Sequence, residues 1–135
     1  MSFGTGLHIM LALAYNPGVR LSSSVLAESV DINPVTARRV LAALSAAGLV
    51  DTQTGPGGGA TLARSASKIT VQDVYEALGE PPFIAGHANK PMDRCAVSVC
   101  MPRIFHRLNE AVTEKASPVL EKTTLQRLID EDITG

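Results

Sequence analysis

Residues 33–48 read NPVTARRVLAALSAAG, and this stretch marks both ends of a helix. Asn33 is a favourable N-cap residue, and Pro34 suits the first helical position, where its missing N–H needs no partner. Gly48 stands where a left-handed C-cap is expected. The apolar residues between these signals recur on one helical face, namely Ala37, Val40, Leu41 and Leu44. The sequence therefore predicts a helix over about residues 34–47.

The opposite face of this helix has small side chains around one arginine. At about 100° per residue, the side chains on this face are Val35, Arg39, Ala42 and Ala46, flanked by Arg38 and Thr36. A face with so little bulk can approach another surface closely.

A glycine-rich hairpin is predicted directly after this helix. Residues 49–54 alternate weakly like a strand, GPGGG occupies 55–59, and residues 60–63 can return as the partner strand. Glycines at a hairpin tip permit positive φ and let backbone amides lie against a sugar–phosphate edge. A nucleotide-binding loop would instead end in Gly-Lys-Ser/Thr and open a helix, which this segment does not. The alternative that the glycines only close the hairpin stays open.

The elements on both sides complete a known order. Apolar spacing predicts helices over about residues 6–15, 22–31 and 71–78. Helix, short helix, turn, capped helix and Gly-tipped hairpin are typical of a winged helix-turn-helix. Another long helix is predicted from about Met101, and Pro118 must kink it or start a new one. We therefore expect a mainly α fold with a small β-hairpin wing and a long C-terminal helix.

The composition fits one domain with a possible appended helix. With 135 residues and 45% hydrophobic content, the chain can bury a core. Because it has neither an apolar run of about 18 residues nor a signal-peptide pattern, we expect a cytoplasmic protein that does not contact membranes. Residues 1–68 contain five basic and three acidic side chains, whereas residues 69–135 contain seven basic and ten acidic ones. This asymmetry indicates that the first half meets a polyanion.

Three stretches together resemble the Rrf2 family of bacterial winged-helix transcription regulators. They are INPVTARRVLAALSAAGLV at 32–50, GGGATLAR at 57–64 and ITVQDVYEAL at 69–78. The resemblance covers nearly the whole chain, because the tail is similar to the family's long dimerisation helix. It implies a homodimer that binds double-stranded DNA at a roughly two-fold-symmetric operator, and we expect a repressor.

The resemblance also implies which residues contact DNA. The recognition helix corresponds to residues 33–47 and the wing to residues 55–60. The DNA-binding residues implied are Asn33, Val35, Thr36, Arg38, Arg39, Gly57, Gly58 and Gly59. The helical geometry also places Val35 and Arg39 on the exposed face, and it makes Arg38 a better phosphate contact than a base reader. The alternative that Arg39 is only a solvated surface residue stays open.

The expected domains are a winged helix-turn-helix DNA-binding domain over 1–80, a loop or sensor segment over 81–101, and a dimerisation helix with its tail over 102–135. The apolar stripe assigned to the dimer interface consists of Ile104, Phe105, Leu108 and Val112. Packing of this stripe on its own domain is the alternative. We favour the dimer because the domain already has enough core residues.

Cys95 and Cys100 are the candidate regulatory residues. Members of the family that sense through an iron–sulfur cluster use three grouped cysteines here, and the third is missing, so we expect no cofactor and no metal site. The alternative in which His87 or His106 supplies the missing ligand stays open. If residues 95–100 are helical, the two thiols lie about 140° apart and about 7.5 Å along the axis, beyond disulfide reach. A disulfide within the chain would need this stretch to be a loop or to unwind on oxidation. A disulfide between subunits, two unreactive thiols and a small-molecule effector as the signal stay open as well.

Other function classes have less support. A winged helix that binds a protein and no DNA is the main alternative, and the salt dependence of DNA binding would separate the two. We expect no enzymatic activity, because no nucleophile has a base at recognisable spacing and the three histidines are scattered.

Overall fold

The computed structural model describes residues 2–79, 83, 86, 87, 90 and 92–134. It is mainly helical, with one two-stranded antiparallel sheet in the described part. In chain order, the elements are α1 (Phe3–Tyr15), α2 (Ser23–Val30), α3 (Pro34–Ala46), β1 (Val50–Gln53), β2 (Gly59–Leu62), a 3-10 turn (Ala66–Lys68), α4 (Val71–Ala77), α5 (Ala96–Lys122), α6 (Leu125–Leu128) and a π-helical turn (Ile129–Ile133). The predicted fold class, a winged helix-turn-helix with a long C-terminal helix, is confirmed.

Side-chain caps fix where the short helices begin. The Ser22 hydroxyl accepts a hydrogen bond from the Val25 N–H at 3.1 Å and starts α2. The Asn33 carboxamide oxygen accepts one from the Val35 N–H at 2.8 Å and starts α3. Because a cap satisfies an N–H that has no partner inside the helix, it favours one start over its neighbours.

The turn between α2 and α3 is set by one residue. Asp31 adopts the left-handed conformation with φ of 63° and ends α2. At the other end of α3, Gly48 has φ of 75°, as its predicted C-cap role requires. The predicted bounds of α3 are therefore confirmed to within one residue.

The chain divides into two compact units, which are Met1–Glu80 with Leu120–Gly135, and Pro81–Val119. In the first unit, Leu125 is fully buried and Ile129 is 7% exposed, so the C-terminal segment contributes to the core. Thr124 also pairs with Thr70 just before α4. The structure thus groups residues 120–135 with the N-terminal elements, whereas the sequence had grouped them with the dimerisation helix.

The second unit contains most of α5. This helix begins at Ala96, earlier than the predicted Met101, so residues 96–101 are helical and do not belong to the loop. It also continues through Pro102 and Pro118. Each proline removes one helical hydrogen bond, and the other bonds of a 27-residue helix keep it continuous. The rest of the loop or sensor segment predicted over 81–101 lies partly outside the described residues.

None of the helices in the described ranges is long and apolar enough to cross a bilayer.

Candidate nucleic-acid interface

The first two turns of α3 present a solvent-exposed surface. Val35 is 47% exposed, and Thr36, Arg38 and Arg39 are exposed as well. On the other side of the helix, the apolar stripe predicted from the sequence is buried, with Ala37, Val40, Leu41 and Leu44 in the core. The burial of one face therefore holds the other face, including the predicted DNA-reading residues, toward solvent.

The two arginines of α3 are available for an external partner. Neither Arg38 nor Arg39 forms a salt bridge with any residue that the structure describes. The first turn of α3 has no acidic residue either. Asn33 differs from them, because its side chain is already engaged by the Val35 N–H. Two unpaired positive charges at a helix start suit a polyanionic surface.

A notch of about 450 Å³ lies between α3 and the hairpin. Arg38 lines it from the helix, and Thr52 and Thr54 line it from the hairpin. Ser22 and Ser23, at the start of α2, close a third side. Leu41 and Ala42 of α3 also line the recess, and its hydroxyls and guanidinium are groups that can bind a phosphate.

Sequence reasoning missed most of this notch. Ser22 was interpreted only as the start of a predicted helix, and Thr52 and Thr54 only as residues of a weak strand. Their convergence depends on the tertiary fold, which no local pattern reports. The run of hydroxyl residues at 22–24 was the one signal that could have drawn attention to it.

The glycines close the hairpin and form its tip. Gly55 and Gly57 have φ of 84° and 74°, and both are exposed. The Gly58 N–H donates to the Gly55 carbonyl at 3.0 Å, and a Cβ on Gly58 would collide with the Gln53 carbonyl. Gly59 is half-buried in β2. Gly58 and Gly59 therefore contribute to hairpin closure and also line the notch, Gly55 and Gly57 are the more exposed glycines, and DNA contact by Gly57, Gly58 and Gly59 stays a prediction.

The predicted dimer stripe on α5 divides into two parts. Leu108 and Val112 are 41% and 37% exposed, whereas Ile104 and Phe105 are half-buried. The Phe105 ring meets the His87 ring edge-on, with centroids 5.5 Å apart. The chain thus covers part of the stripe itself and leaves Leu108 and Val112 open.

The two cysteines are free and half-buried. Cys95 directly precedes α5, and its sulfur accepts a hydrogen bond from the Ser98 N–H at 3.4 Å. The Cys100 sulfur lies 3.9 Å from Arg103 Nη2. His106 pairs with Glu110 at 3.1 Å. The described residues bring no three His, Cys, Asp or Glu side chains together as metal ligands.

The chain matches the sequence profile of Rrf2, described as an iron-dependent transcriptional regulator, over residues 2–131. It is 36% identical to BadM of Rhodopseudomonas palustris, named as an HTH-type transcriptional regulator, over 69 residues. That match covers 51% of this chain and 44% of BadM, so it spans less than half of that relative's length.

Two solved structures have the same fold over almost the whole chain. CymR, titled the global cysteine regulator of B. subtilis, is 26% identical with a TM-score of 0.66, and the match covers 96% of this chain and 95% of CymR. The oxidized form of Staphylococcus aureus CymR is 25% identical with a TM-score of 0.63, covering 93% and 90%. The capped α3, the glycine-tipped wing and the matched profile agree, and the chain belongs to the Rrf2 family of DNA-binding transcriptional regulators.

Proposed function

We propose that the protein is a homodimeric repressor that binds a two-fold-symmetric operator through α3 and the wing. The observation that carries this proposal is the start of α3, where Arg38 and Arg39 are exposed and have no ionic partner among the described residues. Supporting it, the notch beside them is lined by Arg38 and by hydroxyl side chains, which are groups that can bind a phosphate of the same duplex.

The residues of α3 have different roles in this proposal. Arg39 enters the major groove and donates two hydrogen bonds to a guanine, which is the commonest specific contact of arginine. Val35 and Thr36 contact neighbouring base edges, and an apolar side chain such as Val35 suits a thymine methyl. Arg38 lines the notch, where it binds a backbone phosphate together with the hydroxyls of Ser23 and Thr52.

The dimer is formed through α5. Leu108 and Val112 are apolar, exposed and one helical turn apart, so two copies can bury them against each other about a two-fold axis. Two α3 helices about 34 Å apart then read successive major grooves on one side of the duplex. Dimerisation supplies the specificity that one short helix and one wing lack.

The signal is proposed to be redox. The family description names iron, but the described residues do not offer the three grouped ligands that a cluster would need, so no step is assigned to iron. Cys95 borders the helical segment that contains Cys100, which disfavours a bridge within one chain. The signal is instead proposed to form a disulfide between the subunits, in which two thiols give up two electrons and two protons and peroxide is reduced to two water molecules.

An arginine scan tests the DNA-reading role. A duplex that the protein selects from a randomised pool serves as the operator, and a scrambled duplex of equal length as the reference. We expect Arg39→Ala to lose about 1–3 kcal/mol of binding free energy on the operator and much less on the scrambled duplex. The control Arg127→Ala removes an equal charge from α6, where Arg127 pairs with Glu131, and should leave both affinities near wild type.

Two results would contradict this role. Equal weakening of Arg39→Ala on both duplexes would show that Arg39 does not read a base. Equal effects of Arg39→Ala and Arg127→Ala would show that only net charge matters.

A further inference from the structure

The wing hairpin, which consists of β1, the glycine turn and β2, is small, yet it must keep one orientation relative to α3. Each strand has four residues, and Val50 and Ala60 are the buried residue of each. A two-stranded hairpin is marginally stable in water by itself. Contacts from outside the hairpin must therefore hold the wing in place.

One such contact comes from the segment just before α2. The Leu21 N–H donates to the Ala60 carbonyl at 3.0 Å, and the Ala60 N–H donates to the Leu21 carbonyl at 2.8 Å. Leu21 thus acts as a one-residue third strand beside β2. The backbones approach so closely that a Cβ on Gly59 would lie 2.7 Å from the Leu21 carbonyl oxygen.

The neighbouring side chain, Arg20, holds both strands of the wing. Its Nη2 lies 2.8 Å from Asp51 Oδ2 in β1. Its Nη1 donates toward two carbonyl oxygens, that of Asp51 at 3.4 Å and that of Gly59 in β2 at 3.3 Å. Only 26% of the Arg20 side chain is exposed. A planar guanidinium with five N–H donors can span two strands in this way, whereas an ammonium cannot hold the same fork geometry.

We propose that Arg20 is a positioning residue that sets the orientation of the wing relative to α3. Arg20 and Leu21 directly precede the Ser22 cap of α2, and α2 and α3 share the core, so this tether links the wing to the recognition helix. Its guanidinium also neutralises Asp51, whose carboxylate would otherwise repel DNA from the wing. Arg20 acts on DNA binding through the wing and makes no contact with DNA itself. This inference rests on the proposed function.

A double-mutant cycle tests the inference. Arg20→Met combined with Asp51→Asn removes the tether without changing the net charge. Pro56→Glu, at the exposed wing tip, adds a negative charge that repels the DNA backbone and disables the wing contact. The matched control, Arg127→Met with Glu131→Gln, removes a surface pair of 3.0 Å in the same unit. All variants are titrated with the selected operator duplex over a salt series.

We expect the tether variant, Arg20→Met with Asp51→Asn, to weaken operator binding about tenfold. In the Pro56→Glu background the same two substitutions should weaken binding by less than about a further twofold. The slope of log affinity against log salt should stay at its wild-type value, because the wing contacts that are lost are made by uncharged backbone. Amide hydrogen exchange at Ala60 should become faster in the tether variant and not in the control. The control should bind as wild type does.

Three results would overturn the inference. If the tether variant weakens operator binding as much in the Pro56→Glu background as in the wild type, Arg20 does not act through the wing. A salt slope smaller by about one would make Arg20 a direct phosphate contact. Unchanged binding and exchange would show that the wing is held without it. If the wild-type chain itself does not prefer the selected duplex, the proposed function fails; if the wild type and Arg39→Ala behave as expected, only the role of Arg20 fails.

Discussion

At the scale of single residues, Gly59 illustrates how the backbone limits the choice of side chain. Its φ is 133°, which L-residues with a Cβ rarely adopt, and an added Cβ would lie only 2.7 Å from the Leu21 carbonyl oxygen. The run of glycines was predicted from the sequence to form a hairpin tip. The constraint on Gly59 comes from Leu21, which lies far away in the chain, so no local sequence pattern reveals it.

Gly59→Ala should lower the free energy of unfolding by about 1–3 kcal/mol, because it combines backbone strain with a contact that neither backbone can easily relieve. Urea unfolding followed by circular dichroism measures the change. Gly57→Ala is the control, since Gly57 also has positive φ but has open space around it. Its cost should be about 1 kcal/mol. Equal costs for the two variants would show that the contact with Leu21 does not limit the site.

Arg38 and Arg39 are adjacent in the chain but should differ in their effect on binding. Arg38 lines the notch, so Arg38→Ala should weaken operator and scrambled duplexes alike and reduce the salt slope by about one. Fluorescence anisotropy from low to moderate salt measures both quantities. A loss confined to the operator would instead make Arg38 a base reader.

At the scale of elements, the bounds of a helix can be predicted closely when the residues that start and end it are its neighbours in the chain. Asn33, Pro34 and Gly48 mark α3 within the chain itself, and its bounds were predicted closely. The start of α5 was predicted late, because the apolar stripe that marked the helix begins only at Ile104, whereas the helix itself begins at Ala96. The end of α5 was missed because Leu125 and Ile129 pack into the core of the first unit, which their apolar spacing does not reveal.

The open part of α5 carries the dimer prediction. Leu108→Lys places a charge in the proposed apolar contact and should convert the dimer to monomer at micromolar concentration, as measured by sedimentation velocity. Thr113→Lys adds the same charge about 140° round the helix and should leave the dimer intact. If both variants dissociate the dimer, the added charge and not its position is responsible. If neither variant dissociates it, the dimer interface lies elsewhere.

At the scale of the whole molecule, the candidate site combines features that the sequence reveals unequally. The exposed face of α3 follows from helical periodicity, so Val35 and Arg39 could be chosen without a structure. The notch and the Arg20 tether join residues from α2, α3 and both strands, and only the tertiary fold brings them together. The basic first half of the chain contains all of these residues, in agreement with the charge asymmetry.

The proposed redox control would also depend on the assembled dimer. Mild peroxide should convert the protein to a covalent dimer on a non-reducing gel and change its affinity for the operator at least several-fold, and reductant should reverse both effects. Cys95→Ser and Cys100→Ser identify the thiol that forms the bridge. An unchanged thiol count together with unchanged binding would show that both cysteines are structural.

The most direct test of the central claim is selection from a randomised pool of duplex DNA by the purified, reduced protein, with sequencing of the bound fraction. The proposed dimer predicts an enriched motif with two-fold symmetry and half-sites about one helical turn apart, bound at least about a thousandfold more tightly than scrambled DNA. A pool that shows no enriched motif, or only a single asymmetric one, would contradict the account.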